Sequence, residues 1–321
     1  MELTAVIIGF LIGILLIVKG GDFFVDAAAW LAEISGIPKL IVGATVVSVA
    51  TTLPELLVSL MAAVQGKVDM SVGNAVGSVT ANIGLIMAIS LICMPGAIRR
   101  KDYMMKSLSM LGAAAIIVVS GRLGEIGLLL SAALLVIFAF FITENVSAAS
   151  AAVASKGTAR VRRAKPSGRE VLTNVVKFVL GAAGIVIGAQ LLVDNGSELA
   201  RFAGVSERVI GVTIIAVGTS LPELVTTITA IVKKQAALSV GNILGANIMD
   251  LTMIMPLCAL VSGKALPISP ASARLDLPAC LLVGLVAVVP ALLREKFSRW
   301  QGLLLLAIYA GYLYLTCFAA A

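Results

Sequence analysis

Charge is scarce in this sequence, and histidine is absent. Charged residues make up 13% of the 321-residue chain, about half of the roughly 25% found in a typical soluble domain. Hydrophobic residues make up 60%, and the mean hydropathy is +1.09. A chain of this composition could not be solvated as a globule, so it is typical of a membrane protein. Because there is no histidine, imidazole zinc sites and histidine proton relays are excluded.

Cysteine is also rare and is not spaced for metal or redox chemistry. The four cysteines lie in apolar stretches without a CxxC pair, which predicts small core residues; they are Cys93, Cys258, Cys280 and Cys317. The net charge of +7 comes from short basic runs beside apolar stretches. This pattern indicates loops that face anionic lipid, so we expect contact with membrane lipids and no nucleic-acid partner.

Ten apolar stretches approach the roughly 20 residues that a membrane-crossing helix needs. They are 4–27, 39–64, 70–94, 103–121, 124–143, 171–193, 207–232, 238–262, 275–293 and 299–319. The one long polar stretch, 144–170, is basic and contains proline and glycine. The sequence therefore predicts an all-α polytopic membrane protein of ten transmembrane helices: a five-helix repeat in 1–143, a linker in 144–170 and a second five-helix repeat in 171–321.

The basic residues predict an orientation. If both termini lie outside, most of the 24 lysines and arginines fall in loops on the inner side. The positive-inside rule then predicts a multi-pass protein of the plasma (inner) membrane, with a cytoplasmic 144–170 linker.

A thirteen-residue segment occurs twice in the chain. Residues 43–55 align with 211–223 and are identical at seven positions, including Thr-x-Leu-Pro-Glu at the end. The same offset, without gaps, aligns 71–74 with 239–242, and both read Ser-Val-Gly-Asn. Single residues that it pairs are Gly77 with Gly245, Asn82 with Asp250 and Asp26 with Asp194. Because five helices is an odd number, we expect the halves to be inverted, with a site near the midplane where they meet.

The repeated motif carries a carboxylate in the middle of an apolar stretch. Thr51 and Glu55 are four residues apart and share a helix face, as do Thr219 and Glu223. Proline removes a helical hydrogen bond, which frees carbonyls near Ala50 and Gly218. Ionisable side chains deep in a membrane are costly and usually functional.

The second motif adds amides and a third carboxylate. Asn74, Ser78 and Asn82 share one helix face, and their counterparts are Asn242, Ala246 and Asp250. For the first asparagine of each set, hydrogen bonding between helices and ion contact remain equally open. All these donors are oxygen, which favours Ca²⁺, Na⁺ or a similar hard cation over zinc or copper. Competition of two cations for one charged site indicates an antiporter rather than an enzyme, with no cofactor beyond the transported ions.

At these motifs the sequence resembles the sodium/calcium exchanger family of the Ca²⁺/cation antiporter superfamily. The resemblance implies ten helices in inverted repeats and alternating access by sliding of the first helix of each repeat. It implies Ca²⁺ ligands and a central polar pair at Thr51, Glu55, Thr219, Glu223, Asn82 and Asp250. It also implies Na⁺ ligands at the hydroxyls of Thr52, Ser78 and Ser220 and at the carbonyls of Ser48 and Ala216.

Three residues depart from the family pattern. Ala50 stands where a glycine is usual, Val79 replaces an asparagine that the second copy keeps as Asn247, and Ala246 lacks a hydroxyl. The last two bear on the number of sodium sites. A proton-coupled Ca²⁺ antiporter is the main alternative, although its second motif carries a glutamate that Gly73–Gly77 lacks. An intramembrane aspartyl protease would need an aspartate at Asn82, and a passive channel would leak Ca²⁺ without sodium.

Overall fold

The computed structural model describes residues 3–156, 166–204 and 218–316, and these ranges are almost entirely helical. The helices are α1 (Leu3–Ser35), α2 (Lys39–Val64), α3 (Val68–Cys93), α4 (Arg100–Leu123), α5 (Leu128–Lys156), α6 (Gly168–Phe202), α7 (Leu221–Val232), α8 (Ala236–Ser262), α9 (Pro270–Arg274), α10 (Asp276–Arg294) and α11 (Arg299–Tyr314). The strands are β1 (Gly96–Ala97), β2 (Glu125–Ile126), β3 (Leu266–Pro267) and β4 (Lys296–Phe297).

Eight helical stretches in the described part of the chain are long and apolar enough to cross a membrane. They correspond to eight of the ten predicted spans: α1 to α6, α8, and α9 together with α10. The other two predicted spans, 207–232 and 299–319, lie partly outside the described residues. Helix α7 belongs to the first of these spans and α11 to the second. The all-helical membrane class is confirmed, and the count of ten stays a prediction.

The predicted linker 144–170 is partly helical. Helix α5 continues to Lys156, and α6 begins at Gly168. The continuation is rich in alanine, the residue with the highest helix propensity. Residues 157–165 lie outside the described part.

The chain divides into two compact units, and each draws on both halves of the sequence. The first comprises residues 1–51 and 143–242, and the second comprises 52–142 and 243–321.

In the first unit, α1 and α6 pack closely and run antiparallel. A Cβ added to Gly188 would lie 2.8 Å from the Gly13 carbonyl oxygen, and one added to Gly181 would lie 2.8 Å from that of Gly20. Residue numbers rise along one helix as they fall along the other. Small residues allow such close backbone contact between membrane helices.

In the second unit, two short strand pairs fix the direction of α4 against α10. Strand β1, just before α4, pairs with β4, which follows α10, and β2 after α4 pairs with β3, which precedes α9 and α10. Each end of α4 therefore lies beside the opposite end of α10, and the two helices are antiparallel. They are the corresponding helices of the two halves.

A glutamine stabilises the proline bend in α10. Pro290 has no N–H, so the carbonyl of Val286 loses its helical donor. The Gln301 side chain on α11 donates to that carbonyl at 2.9 Å and to the Ala287 carbonyl at 2.7 Å. A lost backbone bond in the core is thereby replaced from a neighbouring helix.

The cysteines follow the prediction in part. Cys258 and Cys280 are buried, as expected for core residues, whereas Cys93 is exposed. The prediction is wrong for Cys93 because this residue is the last of α3, where the chain leaves the helix. Cys317 lies outside the described residues.

Candidate cation-binding residues

The first copy of the repeated motif lies inside one helix. In α2 a π-helical segment, Gly43–Val47, is followed directly by α-helix that includes Pro54. The missing N–H of this proline frees the Ala50 carbonyl from its helical bond. Thr51 and Glu55 stand one turn apart and are 2% and 1% exposed. A hydroxyl and a carboxylate therefore share a helix face in a buried environment, as the spacing predicts.

The second copy is built on a helix start. Thr219 and Ser220 form a turn, and α7 begins at Leu221 with Pro222 in its first turn. Glu223 also lies in this first turn and is fully buried. Unbonded N–H groups at a helix start favour negative charge there. The local backbone thus favours negative charge at this position.

Asn82 and Asp250 each begin a π-helical segment. The segments are Asn82–Met87 in α3 and Asp250–Ile254 in α8, and both residues are almost completely buried. Such segments contain an extra residue per turn and frequently occur at functional sites. Nothing in the sequence signalled them apart from the repeat that pairs these two residues.

The repeated asparagines join the two motifs by hydrogen bonds. The Asn74 side chain donates to the Glu55 carbonyl at 3.3 Å and to the Ser59 hydroxyl at 2.9 Å. Asn242 donates to Thr226 at 3.0 Å and accepts from the Thr51 hydroxyl at 3.2 Å. The interhelical hydrogen bonds that the sequence left open are thus present at both residues, and ion contact stays a prediction.

Four buried oxygen atoms among the predicted ligands have no hydrogen-bond partner among the described residues. They are the hydroxyls of Thr52, Ser78 and Ser220 and the Oδ1 atom of Asn82. A buried polar atom left without a partner costs about 1–3 kcal/mol. A bound cation would supply the missing interaction, since neutral oxygens are ligands of hard cations.

The remaining predicted ligands differ in what the structure shows of them. The Ser48 hydroxyl donates to the Thr45 carbonyl at 3.2 Å, and the Ser48 carbonyl accepts from Thr51 at 3.4 Å. Thr219 is half-buried. Ala216 lies outside the described residues.

The predicted ligands are distributed over both units. Thr52, Glu55, Ser78, Asn82 and Asp250 belong to the second unit; Ser48, Thr51, Thr219, Ser220 and Glu223 belong to the first. In the described ranges, no three Asp, Glu or Cys side chains are grouped as they would be around a metal ion. Within those ranges, carboxylates alone do not provide a cation site, and hydroxyl, amide or carbonyl oxygens would have to contribute.

An ion-pair cluster lies at the end of α7, in the first unit. The Lys233 amine is 2.8 Å from a carboxylate oxygen of Asp26 and 3.3 Å from one of Asp22, both on α1. Desolvation lowers the pKa of Lys233, but its hydrogen bonds and charge interactions with the two aspartates outweigh this and raise the pKa above the ordinary value. The repeat had singled out Asp26 without identifying this partner.

Comparison with known proteins identifies the family. The family model described as sodium/calcium exchanger protein matches residues 5–146 and 173–318. Inner membrane protein YrbG of Escherichia coli is 34% identical over 86% of this chain and 85% of its own length. Sodium/calcium exchanger MaX1 of Methanosarcina acetivorans is 28% identical over 94% of this chain and 96% of its own. A structure of the sodium-calcium exchanger NCX_Mj, soaked with Na⁺ and Sr²⁺, matches with a TM-score of 0.80 and 29% identity, over 99% of both chains. The chain belongs to the sodium/calcium exchanger family of multi-pass membrane transporters.

Proposed function

We propose that this protein exchanges Ca²⁺ for Na⁺ by alternating access, with Glu55 and Glu223 as the charged ligands of one shared site. One observation carries the proposal. Two glutamates at equivalent positions of an internal repeat are buried in apolar helices, and hydroxyl and amide oxygens of the same motifs have no hydrogen-bond partner among the described residues. Carboxylates in such a setting are usually there to bind a cation or a proton.

The proposed ligands fall into three groups. Ca²⁺ binds through Thr51, Glu55, Thr219 and Glu223, and Asn82 with Asp250 forms the central polar pair. Na⁺ binds through Thr52, Ser78, Ser220 and the carbonyls of Ser48 and Ala216. Three carboxylates carry about −3 when ionised, so one Ca²⁺ leaves a negative charge that Na⁺ or a proton must neutralise. Competition of two cations for this charge would couple their movements.

Many transporters that work by alternating access are built from two halves of opposite orientation. The antiparallel directions of α1 with α6 and of α4 with α10 support an inverted repeat, since each pair consists of corresponding helices of the two halves. In the proposed topology both termini lie outside the plasma membrane and the 144–170 linker is cytoplasmic, because most basic residues then face inward.

The second motif favours sodium over proton coupling. A glutamate in Gly73–Gly77 would offer a protonatable group beside the site, but this segment reads Gly-Asn-Ala-Val-Gly. The neutral oxygens of Ser78 and Asn82 are suited to Na⁺ instead.

The counter-ion is tested by Ca²⁺ uptake into proteoliposomes of the purified protein. We expect uptake with an outward Na⁺ gradient and none with an outward K⁺ gradient or a pH gradient of equal size. Uptake that follows the pH gradient without sodium would replace the proposal with proton coupling, and Ca²⁺ entry without any gradient would indicate a channel.

A further inference from the structure

Three buried side chains of the second unit form a hydrogen-bonded series. The Asn82 amide donates to the Asn247 carbonyl oxygen at 3.1 Å, and the Asn247 amide donates to the Met110 sulfur at 3.7 Å. Met110 lies on α4, Asn247 on α8, and Asn82 begins the π-helical segment of α3. All three are at most 1% exposed.

The sulfur atom determines the orientation of both amides. A thioether can accept a hydrogen bond but cannot donate one. Asn247 must therefore turn its nitrogen toward Met110 and its oxygen toward Asn82. Asn82 must then turn its own nitrogen toward Asn247, which leaves its Oδ1 atom on the other side.

The remaining oxygen of Asn82 is available as a ligand. Oδ1 is buried and has no hydrogen-bond partner among the residues that the structure describes. In the reverse orientation Asn82 would present an N–H group, which repels a cation. The series thus selects the one amide orientation that suits cation binding.

The internal repeat explains why only one half contains this asparagine. Asn247 corresponds to Val79, and the residue it orients, Asn82, corresponds to Asp250. An ionised carboxylate accepts through both oxygens and has no wrong orientation, whereas an amide does. An orienting residue is therefore required beside Asn82 and not beside Asp250, where the repeat has valine.

We propose that Asn247 is a positioning residue for cation binding: it holds the Asn82 amide with Oδ1 directed to the transported ion. The inference rests on the proposed function, because it takes Asn82 as a ligand. Loss of a residue that orients a metal ligand typically weakens affinity about 10- to 100-fold.

The test compares substitutions at Asn247 by Ca²⁺ titration of purified protein and by KM and maximal rate of sodium-driven uptake. N247V copies the residue of the other half. N247D keeps an acceptor for Asn82, and I248V is a packing control on the same buried helix. We expect about tenfold weaker Ca²⁺ binding and a matching rise in KM for N247V. N247D and I248V should bind Ca²⁺ no more than about threefold more weakly than the wild type.

A second set of variants starts from a protein in which residue 82 is a carboxylate, which needs no orienting partner. In the exchanged pair N82D/D250N, the amide stands at position 250, and the repeat makes position 79 the counterpart of Asn247 there. There, adding N247V should change KM little, and adding V79N should lower it. This pattern distinguishes an orienting residue from a merely structural one. Substitution of a merely structural residue would reduce the amount of active protein and leave KM unchanged.

Two results would overturn the inference while leaving sodium-driven exchange intact. One is N247V with wild-type affinity and KM; the other is equal losses for N247V and N247D. Failure of the proposed function has a different signature, since the wild type itself would then show no sodium-driven uptake.

Discussion

In the first half of the chain the Thr-x-Leu-Pro-Glu motif lies within the continuous helix α2, whereas in the second half the threonine lies in a turn and the glutamate lies in the first turn of α7. Glu223 therefore stands at the positive end of its own helix, whereas Glu55 lies in a helix interior. A helix start favours a nearby negative charge by about 0.3–1 kcal/mol. Identical motif residues thus stand in unequal electrostatic settings.

The second motif differs between the halves in a similar way. Asn82 and Asp250 both begin π-helical segments, but only one of them is charged. Ser78 has a buried hydroxyl, while its counterpart Ala246 is equally buried and has none. The repeat has kept the positions of these residues and changed their chemistry. We therefore expect cation sites that are related by the repeat but unequal in strength.

The largest effect is expected where the two halves are most alike. E55Q or E223Q removes a charged ligand, and we expect either to reduce sodium-driven Ca²⁺ uptake by about 100-fold or more, because calcium affinity depends steeply on ligand charge. Proteoliposome flux measures the loss. The control is E125Q, which neutralises an exposed carboxylate at β2 and should transport like the wild type. Near-normal flux in either site variant would refute its role.

Ser78 and Ala246 should give an intermediate effect of opposite sign. Removing the hydroxyl in S78A should weaken the apparent Na⁺ affinity about fivefold, whereas A246S should strengthen it, since a neutral oxygen contributes about 1 kcal/mol. The sodium dependence of Ca²⁺ release provides the measurement. S131A removes another buried hydroxyl, on α5, and should leave it unchanged. If S78A and S131A behave alike, the Ser78 hydroxyl is not a ligand.

The smallest effect concerns the Lys233 cluster, which has no counterpart in the other half because the residue aligned with Lys233 is Gln65. K233Q breaks the ion pairs with Asp22 and Asp26, and we expect Tm to fall by about 1–2 °C, as is typical of partly exposed pairs. K234Q, at the exposed neighbour, should not change Tm.

The pH dependence of this contribution has a definite sign. Because the pKa of Lys233 is raised above its ordinary value of 10.5, the stabilisation is fully present below that value and is lost as the pH rises through the folded-state pKa. The Tm difference between wild type and K233Q should therefore be constant from pH 7 to 9. A difference that disappears within this range would show that the amine is not held by the two aspartates.

The membrane helices and the buried polar residues of the repeat could be predicted because each leaves a direct trace in the sequence. Backbone in lipid must satisfy its own hydrogen bonds, so a long apolar stretch indicates a helix. The repeat then marks Glu55, Glu223, Asn82 and Asp250 as polar residues kept at corresponding places in apolar surroundings.

Features that depend on distant partners could not be predicted in this way. The π-helical segments at Asn82 and Asp250 arise from backbone packing and have no residue signature. The role of Asn247 depends on a sulfur atom 137 residues earlier. The role of Gln301 depends on the Val286 carbonyl of another helix, which loses its helical donor because of Pro290. The helical continuation of α5 was missed because its polar residues resemble a loop, although its alanines favour helix.

Equilibrium Ca²⁺ binding to purified wild type, E55Q, E223Q and the double variant tests most directly whether the two glutamates share one ion. If they do, each single variant should lose nearly all the binding that the double variant loses, and Na⁺ should displace Ca²⁺ from the wild type alone. If instead each single variant retained half of the bound Ca²⁺ and the losses added, the glutamates would serve separate sites and the shared-site account would be wrong.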